Sequence, residues 1–209
     1  MKRIVFSVII LLCGVLFLGC TSEIGISLNK DGSVSVSFDG NSGIAFATLI
    51  RSAAGVSEGD VVFDTREITA ELSGNYFSEV RAVSKTGTDL SVRMKDVQKK
   101  SPLFTSKVVA VKDGRIGATL SADRLLDFYK ASDEEIVSFL DMLLAPVFND
   151  EVLTEEEYLD TVASFYGKQA SDEIKESSFK ITLTDADGST RFFIIPMANL
   201  LTLNEVIEM

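Results

Sequence analysis

The chain has 209 residues, with 20 Lys and Arg against 31 Asp and Glu, for a formal net charge of −11. A body this acidic is repelled by phosphate backbones, so no nucleic-acid partner is expected. There is no His and no Trp, and the 2 Cys are Cys13 and Cys20, which removes Ser-His-Asp and Cys-His catalysis and zinc sites built on His or Cys. The expectation is a protein that is not an enzyme and holds neither cofactor nor metal. A hydrolase working with carboxylates, or with Ser and Lys, is the catalytic alternative.

The first element in chain order is a leader. Lys2 and Arg3 precede an apolar run from Ile4 to Leu18, broken only by Ser7 and Gly14; Gly19-Cys20 and the polar Thr21-Ser22-Glu23 follow. That is the layout of a secretory signal. The run is shorter than the roughly 20 residues a spanning helix needs. Leu16-Phe17-Leu18-Gly19-Cys20 resembles the lipobox of bacterial lipoproteins. Phe17 stands where Leu, Val or Ile is usual, and Leu18 where a smaller residue is usual. Relaxed boxes of this kind are similar to those of spirochaete lipoproteins.

The resemblance implies a cut before Cys20, with a diacylglycerol on the Cys20 thiol and usually an acyl chain on the new amino group. It implies a signal over 1–19 and a single extracytoplasmic domain over 20–209. The implied partner is a cell membrane or outer membrane, reached through the acyl chains on Cys20. Loss of Lys2 and Arg3 with the signal leaves 18 basic residues against 31 acidic ones, or −13. Cys13 follows Leu12 and reads as filler of the apolar run.

After the leader, Ile24, Ile26 and Leu28 alternate with small or polar residues, as do Val34, Val36 and Phe38, and Asp31-Gly32 lies between the runs. Alternation predicts strands, and Asp-Gly predicts a hairpin because that turn needs positive φ. Phe46, Leu49, Ile50 and Ala53 predict a helix over 44–54. Asp64-Thr65-Arg66-Glu67 has the spacing of a capping box, opening a short helix to about Leu72. Runs 76–85 and 90–97 read as a second hairpin with one wet face: Leu90, Val92 and Met94 inward, Ser91, Arg93 and Lys95 outward. Runs 104–111 and 115–120 flank Asp113-Gly114 as a third.

Ser121 or Asp123 caps the helix that carries Leu125, Leu126 and Tyr129. Ser132-Asp133-Glu134-Glu135 opens the most apolar helix, 136–145, ended or bent by Pro146. Thr154-Glu155-Glu156-Glu157 caps the next, with Tyr158, Leu159, Val162, Phe165 and Tyr166 on one stripe, closed by Gly167. Residues 169–176 add a polar turn or two. The last hairpin joins 179–184 to 189–195. Its continuous run Phe192-Phe193-Ile194-Ile195 predicts a central strand covered on both faces. Leu200 to Ile207 is expected to pack back on the core. The fold class is α+β: an antiparallel sheet built from hairpins, with helices packed mainly on one face.

Asp185-Ala186-Asp187-Gly188-Ser189 opens like a calcium loop. The EF-hand pattern wants Gly sixth and Glu twelfth, whereas here Gly188 is fourth and Pro196 twelfth, so the stretch reads as a turn. The apolar stretch 136–148 has two readings. It fills the core, or with Tyr158, Phe165 and Tyr166 its Phe139 and Leu143 line a groove for an acyl chain or other lipid-like ligand. Leu28 to Ser33 is similar to the opening hairpin of LppM-type lipoproteins, a family linked to lipid binding. The function expected is a membrane-anchored, non-catalytic envelope binding or structural component; a lipid or amphiphile carrier or sensor is the alternative.

Overall fold

The computed structural model describes residues 21–45, 47–48, 51, 63–85, 88–130 and 152–209. These include six helices and nine strands in an α+β arrangement. The strands are β1 (Thr21–Leu28), β2 (Val34–Asn41), β3 (Ser78–Val83), β4 (Asp89–Asp96), β5 (Val109–Lys112), β6 (Arg115–Leu120), β7 (Ser178–Thr184), β8 (Thr190–Pro196) and β9 (Ile207–Glu208). The helices are α1 (Thr65–Asn75), α2 (Pro102–Thr105), α3 (Ala122–Lys130), α4 (Glu155–Tyr166), α5 (Lys168–Glu176) and α6 (Met197–Thr202). Of the helix expected over 44–54, Ile44, Ala45, Ala47, Thr48 and Arg51 are helical. The helix expected over 136–145 lies outside the described residues.

Six strands form one sheet in the order β3-β4-β2-β1-β7-β8. Every pair is antiparallel except β1 with β7, which run parallel from Thr21↔Ser178 to Ser27↔Thr184. The sheet is therefore mixed, where hairpins alone predict a purely antiparallel one. The first and last hairpins meet side by side through β1 and β7. Strands β5, β6 and β9 make a second, three-stranded sheet, so the third hairpin stands apart from the other three.

Alternation fixes which face is buried. Ile24, Ile26 and Leu28, then Val34, Val36 and Phe38, then Leu90, Val92 and Met94, then Phe179, Ile181 and Leu183 all point to one side and are buried. Ile68, Leu72, Leu125, Val162, Ile174 and Leu201 from the helices join the same core. Each such side chain contributes about 1.5–3 kcal/mol on burial. The other face carries Glu23, Ser35, Ser37, Asp39, Arg93, Lys95, Lys180 and Thr182, all exposed or half-buried, and no helix among the described residues covers it.

Two sequence expectations need correction. Strand β8 is an edge, not a central strand: Phe192 is 66% and Ile194 63% exposed, while Ile195 is buried. The apolar run covers both sides of β8, but among the described residues only the core side is covered. The run 104–111 is not all strand either. Pro102–Thr105 is a helical turn with Pro in its first turn, and Lys107 at φ 61° turns the chain before β5. Pro has no N–H to lose at a helix start, so Pro102 begins this turn as readily as it breaks the preceding strand.

Local signals hold elsewhere. Asp64 accepts from Arg66 N and Glu67 N at 3.0 and 3.2 Å, although α1 runs on through Gly74 to Asn75. Ser121 Oγ accepts from Arg124 N at 3.3 Å at the start of α3. Thr154 and Glu157 form the reciprocal capping box of α4, and hydrogen bonds from the Thr154 amide and hydroxyl hold the Glu157 carboxyl below its ordinary range. The polar stretch after Gly167 is a nine-residue helix, α5, whose Ala170, Ser171 and Ile174 are buried. Leu200 and Leu201 are buried on α6, and Ile207 pairs with Leu120.

The β1–β2 turn carries an acid-sensitive contact. Asp31 accepts from the Ser33 amide at 3.0 Å, from the Ser33 hydroxyl, and from Lys95 Nζ at 3.2 Å. The Ser33 bonds lead, and with Lys95 they lower the Asp31 pKa from 3.8 to about 2. A carboxyl whose folded pKa is depressed contributes stability above its unfolded pKa and loses it as pH falls through the folded value. Asp31→Asn is therefore expected to destabilise the fold at pH 6. In paired unfolding curves the difference from wild type should shrink below about pH 4 and be lost only as the pH falls past about 2.

Candidate functional site

The open face of the large sheet hollows into a groove of about 720 Å³ beside β1–β4. Its charged lining is Glu23 from β1, Asp39 from β2, Arg81 from β3, Lys85 from the β3–β4 turn, and Asp89 and Arg93 from β4. Strand order makes this set: β2 and β4 carry Asp39 and Ser91 opposite each other, and Ser91 stands opposite Val83 on β3. The volume lies within the roughly 300–1,000 Å³ of small-ligand sites.

Charges on the β1–β2 side of the groove are paired. Arg93 Nη2 meets Asp39 Oδ2 at 2.7 Å, and Arg93 Nη1 donates to the Phe38 and Val92 carbonyls at 3.1 and 3.0 Å. Glu23 Oε1 accepts from Lys180 Nζ at 3.1 Å and from Thr182 Oγ1 at 2.9 Å. Asp89 is engaged in its own turn, accepting from the Lys85 amide at 2.9 and 3.1 Å. Arg81 and the Lys85 ammonium enter no ion pair among the described residues. Among the described residues the groove thus sets two cations without ion pairs beside two paired acids and the Asp89 carboxylate, a polar lining.

Among the described residues the core holds a small apolar cavity. It measures about 60 Å³ and lies between the core face of the sheet and α3, lined by Ile24, Ile26, Leu120, Leu125, Phe128 and Phe179 among others. That is far below the volume of a ligand pocket.

The residues expected to line an acyl groove are placed as follows. Phe139 and Leu143 lie outside the described residues. Tyr158 is 3% exposed in the core, and burial, with Tyr166 nearby, pushes its phenol well above its ordinary pKa. Tyr166 is half-buried, and its pKa is also raised by burial. Phe165, on the last turn of α4, is 78% exposed, with its ring centroid 6.3 Å from that of Tyr166. Tyr158 and Phe165 therefore face different surroundings and do not form one wall. Cys20 also lies outside the described residues; its neighbour Thr21 is the first residue of β1.

The loop that resembled a calcium site is a seam. Asp185, 8% exposed, accepts from Ile116 N at 2.8 Å and from Arg191 Nη2 at 3.1 Å. Arg191 Nη2 also donates to the Ile116 carbonyl, and Ala186 N donates to Gly114 O at 3.1 Å. These bonds fasten the β5–β6 hairpin to the β7–β8 hairpin. Asp187 closes its own turn on Ser189, whose amide and hydroxyl lower the Asp187 pKa, with Gly188 at φ 90°.

Sequence reading identified the wet face of β4 but not the groove, whose lining comes from four strands. Comparison with protein-family models, with curated proteins and with solved structures finds no match for this chain.

Proposed function

We propose that the chain is a lipid-anchored, extracytoplasmic lipoprotein whose body is a non-catalytic binding or structural component of a cell envelope. The observation that carries this reading is continuity. The residue after Cys20 already belongs to β1, which lies inside the large sheet between β2 and β7. Two or three acyl chains at Cys20, each gaining about 0.8 kcal/mol per buried methylene, fix such a body to a bilayer without a membrane-binding surface of its own. Arg81 and Lys85, without ion pairs among the described residues, come from β3 and the turn after it, at the end of the sheet where β1 begins.

The test is Cys20→Ser in cells fed labelled palmitate. The wild-type chain is expected in the membrane fraction, carrying label. The variant is expected to lose the label and to leave that fraction. A variant that stays membrane-bound to the same extent and a wild type that takes no label would overturn the reading.

A second reading, carriage or sensing of an amphiphile, is favoured by the groove rather than by the interior. About 720 Å³ beside Arg81 and Lys85 has room for a headgroup, while the apolar stretch 136–148 lies outside the described residues.

A further inference from the structure

The two edges of the large sheet differ. Natural edge strands are blunted with charges, bulges or Pro, because a bare edge pairs with other chains. Edge β3 follows that rule: its register slips between Ser78 and Arg81, Glu79 sits at φ 55°, and Glu79 and Arg81 put charge on it. Edge β8 does not. It pairs with β7 without a break from Thr184↔Thr190 to Ser178↔Pro196, and its open-face side chains Phe192 and Ile194 are apolar and exposed.

The unpaired backbone groups of β8 can be named. Asp185 N donates to Ser189 O, and Met197 N donates to Ser177 O, at the two ends of the β7–β8 ladder. Antiparallel ladders alternate between pairs that exchange hydrogen bonds and pairs that do not. Counting inward from either end gives the same phase. Arg191, Phe193 and Ile195 turn their N–H and C=O groups to β7, and Phe192 and Ile194 turn theirs outward. Pro196, at an outward position, has no N–H to lose. Among the described residues nothing pairs with this side of β8.

Beside the first half of β8 lies a cleft of about 630 Å³ that includes Lys112, Arg115 and Arg191, with Asp113 as its one acid. Arg191 is held by Asp185, whereas Lys112 and Arg115 make no ion pair among the described residues. The cleft itself holds three cations against one acid, with Asp187 of the adjoining turn also close enough to feel Arg115, and the edge beyond it is apolar.

We infer that β8 is a docking edge for an extended segment of a partner protein, apolar along its length and ending in carboxylates. The segment adds to the sheet as a strand antiparallel to β8, the better-bonded orientation. Its main chain bonds the outward groups of Phe192 and Ile194, and its side chains cover those two residues. Running antiparallel, it brings its C-terminal end to Arg191, where its carboxylates meet Lys112 and Arg115.

The test uses the full chain in detergent and a fluorescent peptide of alternating isoleucine and threonine ending in two glutamates. Anisotropy is expected to show saturable binding, about tenfold weaker for the same peptide ending in two lysines. Ile194→Pro removes one outward N–H without touching the β7 ladder, so it should abolish binding while leaving the thermal midpoint near that of wild type. Lys112→Glu with Arg115→Glu should reverse the preference between the two peptides. Equal binding of both peptides, binding of neither, or undiminished binding by Ile194→Pro would overturn the inference. Sedimentation showing a wild-type dimer that Ile194→Pro converts to monomer would also overturn it, since a second copy would then occupy the edge.

Discussion

Phe38→Ala is expected to lower the unfolding free energy by about 3–5 kcal/mol, the range for deleting a large buried ring. Phe38 has no exposed surface and sits on β2, which is flanked by β1 and β4. Ile24 and Val92 stand directly opposite it on those strands. The ring also lies against Gly40 two residues on, at the place a Cβ there would occupy. The site cannot easily collapse on the void, because three strands hold its walls apart. Denaturant unfolding followed by far-ultraviolet circular dichroism is the measurement, since the chain has no Trp to report by fluorescence. The midpoint should fall with an unchanged denaturant slope. A loss below about 1 kcal/mol would mean that the ring is not part of the core.

Asp96→Ala is expected to cost about 2–4 kcal/mol, through hydrogen bonding rather than packing. Asp96 is fully buried at the end of β4, and its carboxylate accepts from the amides of Lys99 at 2.6 Å and Ser101 at 3.1 Å. The loop it holds bends through Lys99 at φ 54°, a left-handed conformation that a lysine adopts only when held there. Removing the carboxylate orphans both donors. Asp96→Asn keeps one acceptor oxygen and should cost less than Asp96→Ala. Thermal unfolding measures the loss, and faster hydrogen exchange at Lys99 and Ser101 would locate it.

Turns were the most legible part of the chain, because their chemistry is local. Asp31-Gly32, Asp113-Gly114 and Asp187-Gly188 mark three hairpins, and their glycines sit at φ 79°, 74° and 90°. Helix caps at Asp64, Ser121 and Thr154 were equally readable, each resting on a side chain within three residues of the amide it accepts from. What failed was long-range. Nothing near Thr21 or Ser178 signals that β1 and β7 will run side by side, and the mixed sheet follows from that one pairing. Phe192 to Ile195 looks the same in sequence whether one face of its strand is covered or both, so the edge could not be told from the centre. The sequence puts Asp96 in a strand and Asp185 in a turn without showing what either holds, since their amide partners lie across turns or on another hairpin. The groove follows the same logic: Arg81, Asp39 and Glu23 become neighbours only once the strand order is known.

The absence of slack between Cys20 and β1 has a mechanical consequence for a chain anchored there. A body on a floppy stalk samples a wide hemisphere; one whose first strand begins at the tether is a post standing in its socket. At about 3.3 Å per residue, the eight residues of β1 span roughly 26 Å from Thr21 toward the Asp31-Gly32 turn. Were Cys20 the proposed anchor, such a body would have little reach, since no linker residue would separate the acyl chains from the sheet.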